Sequence, residues 1–271
     1  MRHRSAQCPT NAHAALVMLN SSDAKSGALE LGRADALYAR TQQYLEVVKI
    51  LDELLPLGIK CNSKLRSLFR LAYKDRLLTV PCPTSSTFAD GEFKSRQSHW
   101  WTSLEHTLHP NFLMIGQPVI EDVFYRKSDN AVCYGERVVA ISEIEEDIKT
   151  TTDRGRIIRS KYAVAADGAR STVRKALNIS FKGAKPEMVW AVLDNFIDTD
   201  FPECSEIITF QLNGQSRVSW IPRKRNMARF YVLLDGDITQ KRAENSIREH
   251  MAPHRIEFKK SQWFSTFEGR Q

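Results

Sequence analysis

Asp167-Gly168 stands between the apolar run Tyr162 to Ala166 and a helix-compatible segment that starts near Ser171. A strand that turns directly into a helix is the α/β way of presenting a side chain at a ligand crevice. The composition of 162–166 predicts a strand buried on both faces. Gly168 permits the sharp turn, because it tolerates backbone angles that a Cβ blocks, and Ser171 suits the N-cap with Arg174 one turn inside. An ordinary Asp-Gly turn is the plainer alternative. Elsewhere, Asp35 reads as an N-cap for the helix after it. Arg223 and Arg225 read as turn charges, and Tyr231 as a packing aromatic in a strand-like run. Arg229 shares a strand face with Tyr231, because side chains alternate along a strand. His99, His106 and His109 lie close in sequence but lack a carboxylate or cysteine partner pattern, which argues against a metal site.

Asp-Gly followed by Ser and Arg after a hydrophobic strand resembles the fingerprint of the FAD-dependent aromatic hydroxylases. Other segments match in order. Gly32-Arg-Ala-Asp-Ala-Leu-Tyr-Ala-Arg-Thr41 is similar to a segment of the phenol hydroxylase branch, and Leu113 to Glu121 resembles that family's apolar strand followed by a flavin-facing glutamine. Trp220 to Leu234 is similar to its Ile-Pro-Arg…Arg-Phe-Tyr-Val hairpin, and Gln262 to Phe267 to its Trp-[Phe/Tyr] strand. The resemblance covers roughly Leu31 to Phe267. It implies that NADPH reduces bound FAD and that one atom of O2 goes to the ring of a phenol, with water as the other product. Carried over by resemblance, Asp35 is the acid/base for the phenol proton and Tyr231 hydrogen-bonds the substrate oxygen. Arg223 supplies positive charge. Gly32, Arg33, Ala34, Asp35, Leu37 and Gln117 line the flavin, while Asp167 with Gly168 serves the ribityl chain.

Two departures accompany these matches. No two of the 12 glycines are separated by a single residue, so the Gly-x-Gly-x-x-Gly turn that holds the FAD pyrophosphate is absent. The sequence ends at Gly269-Arg-Gln271, ahead of the family's Gly-Asp helix. The expectation is a member truncated at both ends with a half-built cofactor site. The alternative is a catalytically inactive remnant with weak or no FAD binding.

The sequence has 271 residues, ordinary in hydrophobic and charged content, with a net charge of +7. Its Lys and Arg are dispersed, and no helix-turn-helix, zinc-finger or RNA-binding signature is present. A basic surface that favours anionic cofactors is the better reading. Cys8, Cys61, Cys82, Cys133 and Cys204 lack Cys-x-x-Cys spacing, which argues against a zinc site or disulfide framework and suits a reducing, cytoplasmic compartment. No apolar stretch is long enough to span a bilayer. The expected partners are a small phenolic substrate and, at most, a second copy in a homodimer, with neither nucleic acid nor membrane.

The expected fold is mixed α/β (α+β). Residues 1–180 form a partial Rossmann-like FAD-binding domain, with an antiparallel excursion over 132–162. Residues 185–267 form an antiparallel substrate-binding domain with strands at 188–193, 206–212, 217–221 and 228–234. A helix over 239–251 packs Ala243, Ile247 and Met251 against that sheet. A further helix is expected after Thr41, with Tyr44, Val48, Leu51 and Leu55 on one face and Gly58 as its end.

Overall fold

The computed structural model describes residues 21–61, 85–97, 107–128, 131–183, 188–202, 206–223 and 227–268. The protein is mixed α+β and divides into two compact units. One comprises Met1–Leu29 with Glu121–Gly183, the other Glu30–Ile120 with Ala184–Gln271.

In the first unit, Ser21–Asp23 pairs in parallel with Val132–Tyr134. The strands Val138–Ile144, Asp147–Thr152 and Ile157–Ser160 form an antiparallel sheet, as the alternating runs predicted. A buried carboxylate ties these pieces together. Glu136 accepts from Thr152 Oγ1 and from Arg156 Nε, each at 2.8 Å, and the same guanidinium reaches Ser22 Oγ at 3.1 Å. The structure corrects the reading of 162–166. That run is irregular, and Tyr162 and Val164 are 88% and 93% exposed. An apolar run becomes a strand only where neighbouring backbone pairs with it, and no described strand does so here.

The second unit is built on a seven-stranded sheet, counted among the described residues. Its order is Ile256–Glu268, Val189–Thr199, Met227–Leu234, Gln215–Arg223, Ile207–Leu212, Ser85–Ala89, Glu92–Gln97. All neighbours are antiparallel except the Ile207–Leu212 and Ser85–Ala89 pair. Side-chain alternation splits it into two faces. Ala191, Leu193, Phe210, Ala228, Phe230 and Val232 point to one core, which the helix Gln240–Met251 covers with Ala243, Ile247 and Met251. Thr239 caps that helix, its hydroxyl accepting from Arg242 N at 3.3 Å. Ile207, Ile221 and Tyr231 belong to a second cluster with Phe112, Met114 and Ala39.

That second cluster includes a small antiparallel sheet in which Phe112–Met114 pairs with both Ala36–Leu37 and Ile59–Cys61. The helix after Thr41 differs from expectation. It begins at Ala39, ends at Val47, and breaks at Lys49, whose φ is 58°, before the short helix Leu51–Leu54. Its buried residues are Ala39, Gln42 and Leu45, whereas Tyr44 and Val48 are 65% and 56% exposed. Tertiary hydrogen bonding chose the face. The fully buried Gln42 donates from Nε2 to the Leu37 and Asn111 carbonyls at 3.1 and 2.7 Å, which anchors the helix through a polar side chain.

Of the described cysteines, Cys61 is a buried free thiol, but Cys133 is disulfide-bonded.

Candidate active site

Three cross-strand pairings build the site. Asp194 lies directly across from Arg229 on one side and from Trp263 on the other, while Ile221 faces Arg229 from the next strand. Trp263, Asp194, Arg229 and Ile221 thus form one row across four strands. A β-bulge follows Asp194, where the pairing with the Ile256–Glu268 strand shifts register between Asp194 and Asn195. Bulges re-aim side chains and recur beside active sites.

Asp194 and Arg229 are both buried, and they meet as a two-point fork. Arg229 Nε donates to Asp194 Oδ1 and Nη2 to Oδ2, both at 2.7 Å. Arg223 Nη1 donates to the same Oδ2 at 2.8 Å. The remaining Arg229 nitrogen, Nη1, donates to the Arg33 carbonyl at 2.5 Å and lies 3.2 Å from Asp35 Oδ1. Tyr231 OH donates to that Oδ1 at 3.3 Å. Trp263 closes one side, with the Arg229 guanidinium carbon 5.2 Å from its ring centre, a cation–π arrangement.

Asp35 comes from the turn that precedes the Ala36–Leu37 strand. Gly32 and Arg33 both have positive φ, 78° and 64°. A Cβ on Gly32 would sit 2.3 Å from Trp263 Cε2, so only glycine fits between turn and indole. The Ile115 and Gln117 amides donate to the Asp35 and Ala34 carbonyls at 2.8 and 2.9 Å, which fixes the turn's exit. Gly116 lets Arg223 pass close by, since a Cβ there would meet Arg223 Nη2 at 2.5 Å. Gly32 is buried, Arg33 and Ala34 are exposed, and Leu37 and Gln117 are half-buried.

The electrostatics follow from burial and pairing. Burial pushes the Asp35 carboxyl above its ordinary value of 3.8, against the opposing pull of Arg229 and Arg223 and with added push from Asp194. Asp35 is only 4% exposed, and its Oδ2 has no hydrogen-bond partner among the described residues. Tyr231 is also shifted up, by burial first and then by the Asp35 charge. Burial works against the charge of Arg229, but Asp194 and Asp35 more than offset it, so this guanidinium stays protonated.

The residues singled out in the sequence therefore divide. Asp35, Tyr231, Arg223 and Arg229 converge in the second unit, beside the turn carrying Gly32, Arg33, Ala34 and Leu37. Arg223 is no loose turn charge, because its side chain is 13% exposed and paired. Asp167 and Gly168 belong to the first unit. Gly168 has a φ of 76°. Ser171 caps the helix Thr172–Ala176 as expected, accepting from Arg174 N at 3.0 Å. Asp167 Oδ2 accepts from the Thr172 and Val173 amides at 2.6 and 3.2 Å. Slight burial pushes its carboxyl up, but the hydrogen bonds from Ser171, Val173 and Thr172 hold it below the usual value. Asp194 was missed. The available signal was an Asp-Asn pair inside the run Val192-Leu-Asp-Asn-Phe-Ile197, just past the expected end of the strand at Leu193. Of the three histidines, His99 and His106 lie outside the described residues. His109 Nε2 meets Glu46 Oε2 at 2.9 Å. A shallow cleft of about 380 Å³ between Leu233–Asp235 and the Gln240–Met251 helix shares no residue with the Asp35 cluster.

The fold is that of flavin-dependent hydroxylases. The crystal structure of p-nitrophenol 4-monooxygenase PnpA from Pseudomonas putida superposes with a TM-score of 0.68 at 17% identity, over 92% of this chain and 61% of that one. The sequence profile of the FAD binding domain family matches residues 16–271. The chain belongs to that family, and its relatives are FAD-dependent aromatic hydroxylases. One similar protein is the FAD-dependent monooxygenase terD of Aspergillus terreus, 26% identical over 90% of this chain and 41% of its own length. Another is the phenol 2-monooxygenase fsqG of Aspergillus fumigatus, 32% identical over 41% of this chain and 20% of its own. The chain thus spans well under half the length of these curated relatives.

Proposed function

We propose that this chain carries the phenol-binding side of an FAD- and NADPH-dependent monooxygenase that transfers one oxygen atom of O2 to a phenolic ring. The observation that carries the reading is Asp35, a buried carboxyl with one unpartnered oxygen beside a tyrosine hydroxyl and two guanidiniums. A phenol hydroxyl can donate to Asp35 Oδ2, while Tyr231 OH holds Oδ1. A carboxyl raised by burial is matched to take that proton and return it. The Arg229 and Arg223 cations favour the phenolate that results. Ring carbons ortho and para to a phenolate oxygen are the nucleophilic ones, so proton removal at Asp35 activates the ring.

The residues fit the cofactor. Gly32, Arg33, Ala34, Leu37 and Gln117 would hold FAD along this hydrogen-bonded turn and the helix start beside it, and Arg223 would supply positive charge to a reduced, anionic flavin. Taken by itself, the first unit offers Asp167 with Gly168, which by the family resemblance would accept hydrogen bonds from a sugar hydroxyl, as an ionised carboxylate can. When bound, FAD supplies the activation of O2, with NADPH as reductant.

Titrating the purified chain with FAD, by flavin fluorescence, tests the first half of the reading. Phenol-dependent NADPH oxidation with ¹⁸O incorporation from ¹⁸O2, over a panel of simple phenols, tests the second. Uptake of FAD and labelled catechol or hydroquinone products are expected. A chain that takes up no flavin, or that yields no labelled product, overturns it.

A further inference from the structure

Arg229 is an ion-pair partner of Asp35, and a two-point fork to that carboxyl would lock it in its charged form. The geometry divides the charges otherwise. Arg229 gives its two-point fork to Asp194 at 2.7 Å and reaches Asp35 with a single nitrogen at 3.2 Å, shared with the Arg33 carbonyl. Arg223 also gives its nitrogen to Asp194. Two-point guanidinium–carboxylate contacts are the stronger and more directional ones.

We propose that Asp194 is a positioning residue: by taking the two-point fork of Arg229 and the Nη1 of Arg223, it leaves Asp35 only a single-nitrogen contact and so free to gain and lose a proton. The proposal rests on the reading of Asp35 as the proton-handling group and adds the residue that makes the role available. The charged and titratable groups facing Asp35 are Arg229 and Tyr231 from one strand, Arg223 from the next, and Asp194 from the strand on the other side. The bulge that follows Asp194 and the indole of Trp263 on Arg229 fix the aim of the pair. Without the Asp194 charge, two guanidiniums would face one carboxylate, and Asp35 would become their only counter-ion among the described residues.

The test is a ¹³C titration of the aspartate carboxyl carbons in the full chain, without FAD or phenol, with Asp35→Asn to assign the Asp35 signal. In a folded Asp194→Asn variant, the Asp35 transition is expected to drop below the ordinary carboxylate value, a fall of about one unit or more from wild type. A transition that stays where it is, or relaxes only to the ordinary value as simple exposure to water would give, overturns the proposal. If the Asn variant does not fold, Asp194→Glu carries the test, because it keeps the charge but not the fork. There the Asp35 transition is expected to fall and exchange of the Arg229 Nε–H to accelerate, and the absence of either change overturns the proposal. Since neither readout needs flavin or substrate, failure here is separate from failure to hydroxylate.

Discussion

Asp35 holds its proton to higher pH in the folded chain than in the unfolded one, because burial disfavours the carboxylate. The linkage has a definite sign. Between the ordinary value of 3.8 and the raised folded one, folding takes up a proton, so stability contributed by Asp35 is full below that window and lost as pH rises through it. An Asp35→Asn variant cannot ionise. Its melting temperature is expected to exceed that of wild type at pH 8, with the gap closing towards pH 4 in scanning calorimetry, and the proposed phenol hydroxylation is expected to fall by about 10² to 10⁴. A variant less stable than wild type at pH 8 would show that the carboxylate's ion pairing outweighs its burial. The roles proposed for Asp35 and Tyr231 rest, on the sequence side, only on the flanking Gly-Arg-Ala and Arg-Phe-Tyr motifs. By themselves, an aspartate before a helix and a tyrosine in a strand read as cap and packing.

At the scale of elements, periodicity carried most of the second unit. The four expected strands sit where the runs placed them, although Val189–Thr199 continues six residues past the expected end at Leu193. That extension is what puts Asp194 inside a sheet. The helix Gln240–Met251 matched its expected span and buried face, with Thr239 as its cap. Ile247, fully buried against Phe230 and its neighbours in that core, is a fair gauge of helix docking. Replacing it with alanine should cost about 2–5 kcal/mol in urea unfolding, with the midpoint falling at unchanged slope. A loss below about 1 kcal/mol would mean that the site collapses around the gap. The helix Ala39–Val47 was misread because Gln42, a polar residue, is what anchors it. Hydrophobic spacing cannot report a face chosen by hydrogen bonds to Leu37 and Asn111.

At the scale of the molecule, the net charge of +7 bears on cofactor capture. Basic fields raise the local concentration of anions and are screened by salt, with a Debye length near 10 Å at about 0.1 M. FAD affinity is therefore expected to weaken as sodium chloride rises from about 0.02 to 0.5 M, measured by fluorescence titration, and salt-independent binding would exclude that contribution. Among the described residues no helix is long and apolar enough to cross a membrane. The sequence by itself determined the family, the antiparallel sheet with its covering helix, and the local turn at Gly168 with its Ser171 cap, because these depend on residues near one another in the chain. It could not determine that Tyr162–Ala166 is exposed, that Arg223 is paired, or that Asp194 lies among the arginines. Those facts depend on which strands become neighbours and in what register. A carboxylate some 160 residues from Asp35 enters its charge balance only when the sheet sets Asp194 opposite Arg229.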